Sequence, residues 1–336
     1  MGLVTPVIAV IGAGSWGTAL AMQLDRSDSQ VVLWGRDPGQ IDEMAKSRKN
    51  PRFLPGCELS TSIRLNSDIS TVISDSDHVL IVVPSHAFGG IIDMISPLLR
   101  VGQGVAWGCK GFEPGSGRFL HEVARQKLGN ERPLAVVTGP SFALEVARDL
   151  PTAVTVAGQD KPFTEIMAQA LHGGNFRAYT TDDVVGAELG GAVKNVLAVA
   201  TGICDGMCLG DNARAALITR GLAEMMRLGT ALNARPETLM GLAGMGDLAL
   251  TCTGDLSRNR RFGLALGRGD SVEKAQADIG QVVEGINTSI EVNRLAEKHQ
   301  VSMPISREIY GLVHLGWKPS DCLKRLLSRQ QKAENI

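Results

Sequence analysis

The chain has 336 residues, which at about 150 residues per domain predicts two domains, each with a hydrophobic core of its own. Hydrophobic residues make up 44% and charged residues 21%, a composition typical of a globular protein and not of a disordered one. The 34 basic and 35 acidic side chains leave a formal net charge of −1, so there is no broad positive field for nucleic acid. We therefore expect any anion site to be local and no nucleic-acid partner.

Three further features favour a cytoplasmic protein. The longest purely apolar runs, such as residues 79–83, are much shorter than the roughly 20 residues that span a bilayer, so no stable membrane insertion is expected. The six cysteines contain no C-x-x-C pair and are interpreted as buried thiols in a reducing compartment. Residues 1–6 lack the charged segment that opens an export signal.

The six histidines occur at no metal-ligand spacing, and no metal is expected.

In the first half of the chain, short apolar and β-branched runs alternate with segments of helical character. The predicted strands are residues 7–11, 30–34, 79–83, 104–108, 134–138, 153–157 and 176–179. The predicted helices between them are residues 16–24, 38–46, 88–99, 118–128 and 161–171. This alternation predicts an α/β domain over residues 1–182, with a parallel, doubly wound sheet that is covered by helices on both faces.

After Asp182 the strand pattern stops and the chain reads as helical. The predicted helices are residues 184–199, 213–232, 260–266, 283–299, 305–315 and 322–329. Asp211 and Asn212 are predicted to cap the second of these helices. The sequence thus predicts a C-terminal all-helical domain over residues 183–336.

A glycine motif, G-x-G-x-x-G, runs from Gly12 through Gly14 to Gly17, directly after the first strand and before a helix. Its glycines permit a tight turn, close approach of the backbone to a pyrophosphate, and close packing of the helix on the strand. Because strand, motif, helix and second strand follow in order, residues 1–182 are predicted to form a dinucleotide-binding Rossmann domain. A glycine-rich turn without a ligand is the alternative.

The residues after the second strand bear on the choice of nucleotide. An arginine at this place accommodates the 2′-phosphate of NADP, whereas an acidic side chain binds the 2′-hydroxyl of NAD. Arg36 comes first and Asp37 follows it. This order favours NADP(H) with NAD(H) also accepted, and a solvated surface role is the alternative for Arg36.

Two loops follow strands at the sheet edge where a doubly wound fold binds its ligand. Lys110 follows the strand at 104–108, and Gly139 and Ser141 follow the strand at 134–138. A cation at position 110 could serve cofactor and substrate together, and backbone N–H and hydroxyl groups at 139 and 141 could face the same crevice. An exposed loop lysine is the alternative for Lys110.

The helical half carries a lysine within an apolar helix. Lys194 and Asn195 follow Gly190 and Gly191, whose small size lets another element approach closely. A desolvated lysine near a second cation has its pKa lowered into a range useful for proton transfer. Lys194 is therefore a candidate for proton transfer, and a salt-bridged or snorkelling structural lysine is the alternative.

A phosphate site is predicted where Ser257, Arg258 and Asn259 form the cap and first turn of a helix. A hydroxyl, a guanidinium and an amide at a helix N-terminus suit a phosphate dianion. Upstream of this site, Asp247 at the end of a glycine turn supplies a carboxylate. The alternative for Ser257 is that it only caps its helix.

Several of these motifs, in this order, resemble bacterial-type NAD(P)-dependent glycerol-3-phosphate dehydrogenase. Besides the glycine motif they are N-P-R-F-L-P-G at 50–56, K-G-F-E at 110–113, G-P-S-F-A at 139–143, G-A-V-K-N-V-L-A at 191–198, N-A-R-A-A-L-I-T-R-G at 212–221, G-D-L at 246–248 and S-R-N at 257–259. The resemblance covers nearly the whole chain. It implies reversible reduction of dihydroxyacetone phosphate to sn-glycerol 3-phosphate for glycerophospholipid synthesis.

The resemblance also implies roles for individual residues. It makes Lys194 the proton donor and acceptor, and Asn195 is placed beside it to orient the substrate. The implied substrate residues are Lys110, Gly139, Ser141, Asp247, Ser257, Arg258 and Asn259. The implied cofactor residues, in addition to Gly12, Gly14 and Gly17, are Ser15, Trp16, Arg36, Lys110, Ala143, Arg258, Val282 and Glu284.

Two other functions remain open from the sequence. One is another two-domain dehydrogenase, acting on a hydroxyacid, ketopantoate or 6-phosphogluconate. The other is a non-catalytic sensor that binds the dinucleotide and gives Lys194 no chemical task. The sequence leaves the oligomeric state open, with a homodimer as one alternative.

Overall fold

The computed structural model describes residues 6–331, which divide into two compact units. The first unit runs to Cys109 and resumes over Leu120–Val184. The second consists of Lys110–Phe119 and the chain from Val185 onward. The prediction that residues 1–6 form no export signal falls mostly on residues 1–5, which lie outside the described residues.

The first unit is built on an eight-stranded sheet, with a separate two-stranded pair formed by β3 and β4. The strands are β1 (Val7–Ile11), β2 (Gln30–Trp34), β3 (Lys49–Asn50), β4 (Leu54–Glu58), β5 (Arg64–Asn66), β6 (His78–Ile81), β7 (Val105–Trp107), β8 (Leu134–Thr138), β9 (Thr152–Ala157) and β10 (Phe176–Thr181). The order in the large sheet is β10-β9-β8-β7-β6-β1-β2-β5. β1 lies between β2 and β6, so the strand order reverses at β1. A doubly wound fold binds its ligand at the carboxyl ends of the strands beside this reversal.

Helices flank this sheet, as the alternating pattern predicts. They are α1 (Ser15–Arg26), α2 (Pro38–Ser47), α3 (Ile69–Ser74), α4 (Ser85–Ile95), α5 (Leu120–Leu128), α6 (Ala143–Ala147) and α7 (Lys161–Leu171), with a 3₁₀ turn at Ser96–Leu98. All five residues of β8 are buried, and so are four of the five in β1 and in β2. Such continuous burial is what helices packed on both faces of a sheet produce.

The expectation of an entirely parallel sheet is wrong at one pair of strands. β9 runs antiparallel to β8, with Val137 opposite Val156, whereas the other neighbouring pairs of the large sheet are parallel. The connection between β8 and β9 contains only the five-residue helix α6, and a parallel crossover usually needs a longer helix. The elements β3, β4, β5 and α3 are not among the predicted elements, because β3, β5 and α3 are too short to show a periodic pattern and β4 contains Pro55 and Gly56, which are unfavourable in strands.

The second unit is helical in all the regular elements that the structure describes. The helices are α8 (Val184–Gly206), α9 (Asp211–Ala231), α10 (Pro236–Met240), α11 (Asp247–Thr253), α12 (Arg258–Gly267), α13 (Val272–Ile279), α14 (Glu284–Lys298), α15 (Pro304–His314) and α16 (Pro319–Leu327), with a π-helical turn at Leu242–Gly246. The predicted fold class, a doubly wound sheet followed by an all-helical part, is therefore confirmed.

Helix α8 is the core helix of this unit. By length and composition alone it could cross a membrane, but 89% of its apolar window is buried within the protein, as in the core helix of a globular unit. It packs so closely on α12 that a Cβ on Gly202 would collide with the main-chain oxygen of Arg260, and a Cβ on Gly263 would collide with the main-chain oxygen of Val199. This close crossing holds the two helices that carry Lys194 and Arg258.

Two local predictions in this region are corrected by the structure. The N-cap of α9 is Gly210, whose φ of 88° favours glycine, and no side chain caps the helix there; Asp211 is already its first residue. Five of the six cysteines are buried free thiols, but Cys208 is exposed because α8 has ended before it, at Gly206.

Candidate active site

Two lysines converge on one carboxylate in the second unit. Lys194 of α8 donates to Asp247 Oδ1, and Lys110 Nζ lies 2.7 Å from Asp247 Oδ2. Lys194 Nζ also donates to the hydroxyl of Thr251 at 3.0 Å. The Asp247 side chain is 1% exposed, that of Lys194 8% and that of Lys110 15%. The site therefore holds two ammonium groups and one carboxylate with little access to water.

This environment tunes the acidity of Lys194. Burial lowers its pKa from the ordinary 10.5 to about 7; Asp247 opposes the shift and the nearby charge of Lys110 adds to it. A group with a pKa near the working pH can both give and accept a proton. The predicted cation near Lys194 is thus Lys110, 84 positions earlier in the chain.

The turn before α11 positions Asp247. The π-helical turn at Leu242–Gly246 leads directly into α11, whose first residue is Asp247. A Cβ on Gly190 of α8 would collide with the Ala243 main-chain oxygen, so glycine at this position lets the turn approach α8. The predicted close approach along the glycine-rich part of α8 is confirmed.

The predicted phosphate residues lie at the start of α12. The Ser257 hydroxyl caps this helix by accepting from the Arg260 N–H at 3.2 Å, so the alternative role as a cap is observed, and its own O–H remains a possible donor. Arg258 is the first helical residue, with its guanidinium 3.3 Å from Gln281 Oε1. Gln281 is a contact that sequence reasoning missed.

An amide pair joins the phosphate residues to the lysine site. Asn259 Nδ2 donates to Asn195 Oδ1 at 2.8 Å, and Asn259 Oδ1 accepts from the Gly285 N–H at 2.9 Å. Asn195 follows Lys194 directly, so α8, α12 and the start of α14 are linked through buried amides. The start of α14 also holds Glu284, one of the implied cofactor residues, and Val282 comes two residues before it.

The glycine motif of the first unit has the shape that a pyrophosphate requires. Gly12 has a φ of 127° and turns the chain at the end of β1, where a Cβ would collide with the Val82 oxygen. A Cβ on Gly17 would collide with the Gly12 oxygen, so α1 packs closely on the strand. At Gly14, by contrast, a Cβ would meet no described atom within 4 Å other than its own neighbours in the chain. That open space at the N-terminus of α1 fits a phosphate group.

Residues outside the motif brace this loop. Asn50 Nδ2 donates to the Ala13 oxygen at 3.0 Å, Gln40 Nε2 donates to the same oxygen at 2.9 Å, and the Ser15 hydroxyl donates to the Phe53 oxygen. The N-P-R-F segment therefore supports the loop, a role that its sequence does not indicate. The buried indole N–H of Trp16 has no hydrogen-bond partner among the described residues, which fits a site built for a ligand.

The remaining predicted residues of the first unit lie where expected from their strands. Arg36 is exposed beyond the end of β2, while the Asp37 carboxylate caps α2 by accepting from the Gly39 N–H at 3.0 Å. The Ser141 hydroxyl donates to the Gly139 oxygen at 2.9 Å beyond β8, and Ala143 opens α6. Asp37 thus has a structural task, which leaves Arg36 as the nucleotide-facing candidate.

Within residues 6–331, no three His, Cys, Asp or Glu side chains cluster in a way that could hold a metal ion.

The described residues provide a dinucleotide-binding loop on a doubly wound sheet. They also provide a buried lysine of lowered pKa and a helix that begins with arginines. These features define a nicotinamide-dependent oxidoreductase of the two-domain dehydrogenase class.

Comparison with known proteins identifies the family within that class. Residues 7–164 and 183–324 match the N-terminal and C-terminal parts of NAD-dependent glycerol-3-phosphate dehydrogenase. The chain is 60% identical over 330 residues to the curated NAD(P)+ glycerol-3-phosphate dehydrogenase of Xanthomonas euvesicatoria, covering 98% of this chain and 97% of that protein. The crystal structure of glycerol-3-phosphate dehydrogenase from Coxiella burnetii has a TM-score of 0.93 and 46% identity, covering 97% of this chain and 99% of that one. The chain therefore belongs to the NAD-dependent glycerol-3-phosphate dehydrogenase family, and the resemblance inferred from its motifs is confirmed.

A more distant comparison bears on one alternative function. A ketopantoate reductase structure from Ralstonia eutropha JMP134 has a TM-score of 0.59 at 18% identity and covers 94% of this chain and 99% of that one. At that identity the likeness shows a common fold alone.

Proposed function

We propose that Lys194 is the general acid and base with which this chain, as a glycerol-3-phosphate dehydrogenase, reversibly reduces dihydroxyacetone phosphate to sn-glycerol 3-phosphate with NADPH or NADH. The reaction supplies the backbone for glycerophospholipid synthesis. The observation that carries the proposal is the buried Lys194 ammonium, held by Asp247 and Thr251, and its burial lowers the pKa to about 7, where it can exchange a proton.

Lys194 acts on the carbonyl oxygen of the substrate. When bound, NAD(P)H supplies the hydride that adds to C2. Two of the three Nζ hydrogens point to Asp247 and Thr251, and we assign the third to the substrate oxygen. As negative charge develops on that oxygen, Lys194 transfers its proton and becomes neutral. In the reverse direction neutral Lys194 removes the hydroxyl proton.

Asp247 and Lys110 set the conditions for this transfer. Asp247 holds both ammonium groups, one on each carboxylate oxygen. Lys110 lowers the pKa of Lys194, and its charge also stabilises the developing negative oxygen. Asp247 is therefore assigned to orientation and Lys110 to electrostatic stabilisation and substrate binding.

Arg258, Ser257 and Asn259 are assigned to the substrate phosphate, away from the reacting carbon. The guanidinium supplies the charge, and the Ser257 and Asn259 groups supply neutral donors. Because Asn259 is bonded to Asn195, next to Lys194, phosphate binding is coupled to placement of the carbonyl. Binding energy from the phosphate can thus be used at the reacting centre.

The domain roles and the remaining residues complete the proposal. Residues 1–182 bind the dinucleotide and residues 183–336 bind the substrate, with Gly139 and Ser141 as further substrate ligands. The cofactor residues are Gly12, Gly14, Ser15, Trp16, Gly17, Arg36, Lys110, Ala143, Arg258, Val282 and Glu284. The cap formed by Asp37 and the exposure of Arg36 support a preference for NADP(H) over NAD(H).

A cytoplasmic location and a homodimeric state stay predictions. Fractionation of the native cells tests the first. Light scattering of the purified protein tests the second.

The function is tested with the purified chain by following oxidation of NADPH and of NADH in the presence of dihydroxyacetone phosphate. Dihydroxyacetone and ketopantoate serve as comparison substrates, because neither carries a phosphate. We expect turnover with dihydroxyacetone phosphate and much weaker turnover with the other two. Faster turnover of ketopantoate would contradict the substrate assignment, and dinucleotide binding without turnover would favour a sensor.

A further inference from the structure

The segment that carries Lys110 is a closed loop within the second unit. We refer to Lys110–Phe119 as the lysine loop. Phe112 and Phe119 are 2% and 6% exposed, with their ring centroids 5.3 Å apart in the hydrophobic core. Between them, Glu113 pairs with Arg118 at 2.8 Å and its main-chain N–H donates to the Arg118 oxygen at 2.9 Å. The loop is therefore closed at its base by side-chain and main-chain bonds.

The tip of the lysine loop is bound to helix α14. Glu291, only 4% exposed, accepts the Gly115 N–H on Oε1 at 2.7 Å. Its other oxygen, Oε2, pairs with Arg294, one turn further along the helix. A hydrogen bond from a backbone N–H to a buried carboxylate is charge-assisted, and its loss releases the exposed tip of the loop at Gly115 from α14.

We propose that Glu291 is a positioning residue for the reaction, because it fixes the tip of the lysine loop on α14 and so keeps Lys110 on Asp247. The inference rests on the proposed function of Lys194 and Lys110. Glu291 itself touches the loop and Arg294, so it acts on the chemistry through Lys110. It is a buried carboxylate that the proton transfer itself does not use.

The proposal has an electrostatic consequence with a definite sign. Titratable groups of the described residues that interact with Lys194 include Lys110 of the loop and Asp247 and Cys252 of α11. Burial raises the pKa of the Cys252 thiol to about 12, so this group stays neutral. Displacement of Lys110 removes a positive neighbour and raises the pKa of Lys194. Removal of the Glu291 charge acting directly would shift it the other way.

The test compares Glu291→Ala with Glu291→Gln in the full-length protein, using pH profiles of kcat in both directions. Glu291→Ala removes the acceptor, and a misplacement of about 1 Å can cost up to 10²-fold. We expect kcat to fall about tenfold and the Lys194 limb to move up by about 0.5 pH unit or more. Glu291→Gln keeps an acceptor for Gly115 and should restore the limb to its wild-type position.

Glu224→Ala is the matched control. Glu224 is also a buried carboxylate of this unit that accepts backbone N–H groups, from Ile305 at 2.6 Å and Ser306 at 3.1 Å, but it binds α15 and not the lysine loop. It should lower the unfolding temperature and leave the limb in place. If Glu291→Ala does not fold, Glu291→Asp keeps the charge, shortens the reach by one methylene, and should produce the same upward shift.

The outcomes separate this inference from the proposed function. An unchanged or lowered limb in folded Glu291→Ala or Glu291→Asp overturns the positioning role, even when the wild type is fully active. An equal upward shift in Glu224→Ala would show that loss of stability moves the limb, which also overturns it. A wild-type enzyme without a limb that depends on Lys194 would refute the proposed function and, with it, this inference.

Discussion

Replacing Lys194 by Met removes the ammonium and retains an apolar side chain of similar length. Lys194 is nearly buried and donates to Asp247 and Thr251. Lys110 Nζ lies 2.7 Å from Asp247 Oδ2, so we expect the buried carboxylate to keep one charged partner in the variant. We therefore expect a folded Lys194→Met protein that binds NADPH as the wild type does.

The expected loss of activity is large. General acid catalysis typically contributes about 10² to 10⁴-fold, and the lost charge near the developing oxyanion adds to this. A fall in kcat of about 10³-fold or more follows, equivalent to about 4 kcal/mol at 1.36 kcal/mol per factor of ten. Lys194→Arg is the control, because arginine keeps the charge but cannot release its proton. It should recover only a small part of the activity.

The pH dependence gives a second, independent measure. With a pKa of about 7, Lys194 loses its proton as the pH rises through neutrality. Reduction of dihydroxyacetone phosphate needs the protonated form, so its kcat should fall above about pH 7. Oxidation of glycerol 3-phosphate needs the neutral form, so its kcat should rise over the same interval. Both limbs should be missing from the residual activity of Lys194→Met.

The assay follows nicotinamide absorbance at saturating cofactor, with circular dichroism to verify the fold and a fluorescence titration to verify NADPH binding. A folded variant with kcat within about threefold of the wild type, a difference of about 0.7 kcal/mol, would refute the reasoning. Lys194 would then be a structural lysine, and the proton donor would have to be sought among Lys110 and Asp247.

Three further comparisons test other parts of the site. Arg258→Ala should lower kcat/KM for dihydroxyacetone phosphate about 10²-fold or more, because a charged hydrogen bond contributes about 1.5–3 kcal/mol and orients the substrate; an equal loss with dihydroxyacetone would contradict a phosphate contact. Arg36→Ala should raise KM for NADPH about tenfold and change that for NADH little, whereas equal changes would show that Arg36 does not read the 2′-phosphate. Gly190→Ala should lower the unfolding temperature, since its Cβ meets the Ala243 oxygen and overpacking costs about 1–3 kcal/mol. Gly14→Ala, in open space, should leave that temperature unchanged but weaken dinucleotide binding, as calorimetry would show.

The parts of the fold that the sequence could predict are those with a local physical cause. The buried strands β1 and β8 have no polar interruption, and the helix that Ser257 caps begins where a hydroxyl can accept a backbone N–H. In the glycine motif, a Cβ on Gly17 would meet the main-chain oxygen of Gly12, only five positions earlier in the chain. Signals of this kind need only a few neighbouring residues, so they can be interpreted without the rest of the chain.

The errors have the opposite origin, because they depend on tertiary context. The direction of β9 depends on how the chain returns after a helix of only five residues, and its apolar pattern is the same in either direction. Exposure of Cys208 depends on where α8 ends, and the apolar run before it does not mark that point. The bracing of the nucleotide loop by Asn50 likewise joins segments 37 positions apart.

Lys110 shows most clearly what local reasoning cannot supply. In the sequence it follows a strand, as the residues of a nucleotide-binding edge do, and nothing near it indicates Asp247, 137 positions later. Within the lysine loop, Phe112 and Phe119 join the helical core, and this apolar burial removes the loop from the unit that contains the preceding strand. With the loop in this place, the ammonium groups of Lys110 and Lys194 share the carboxylate of Asp247. Burial of Lys194 itself is the main cause of its lowered pKa, and the further lowering by Lys110 depends on the burial of two phenylalanines that places the loop.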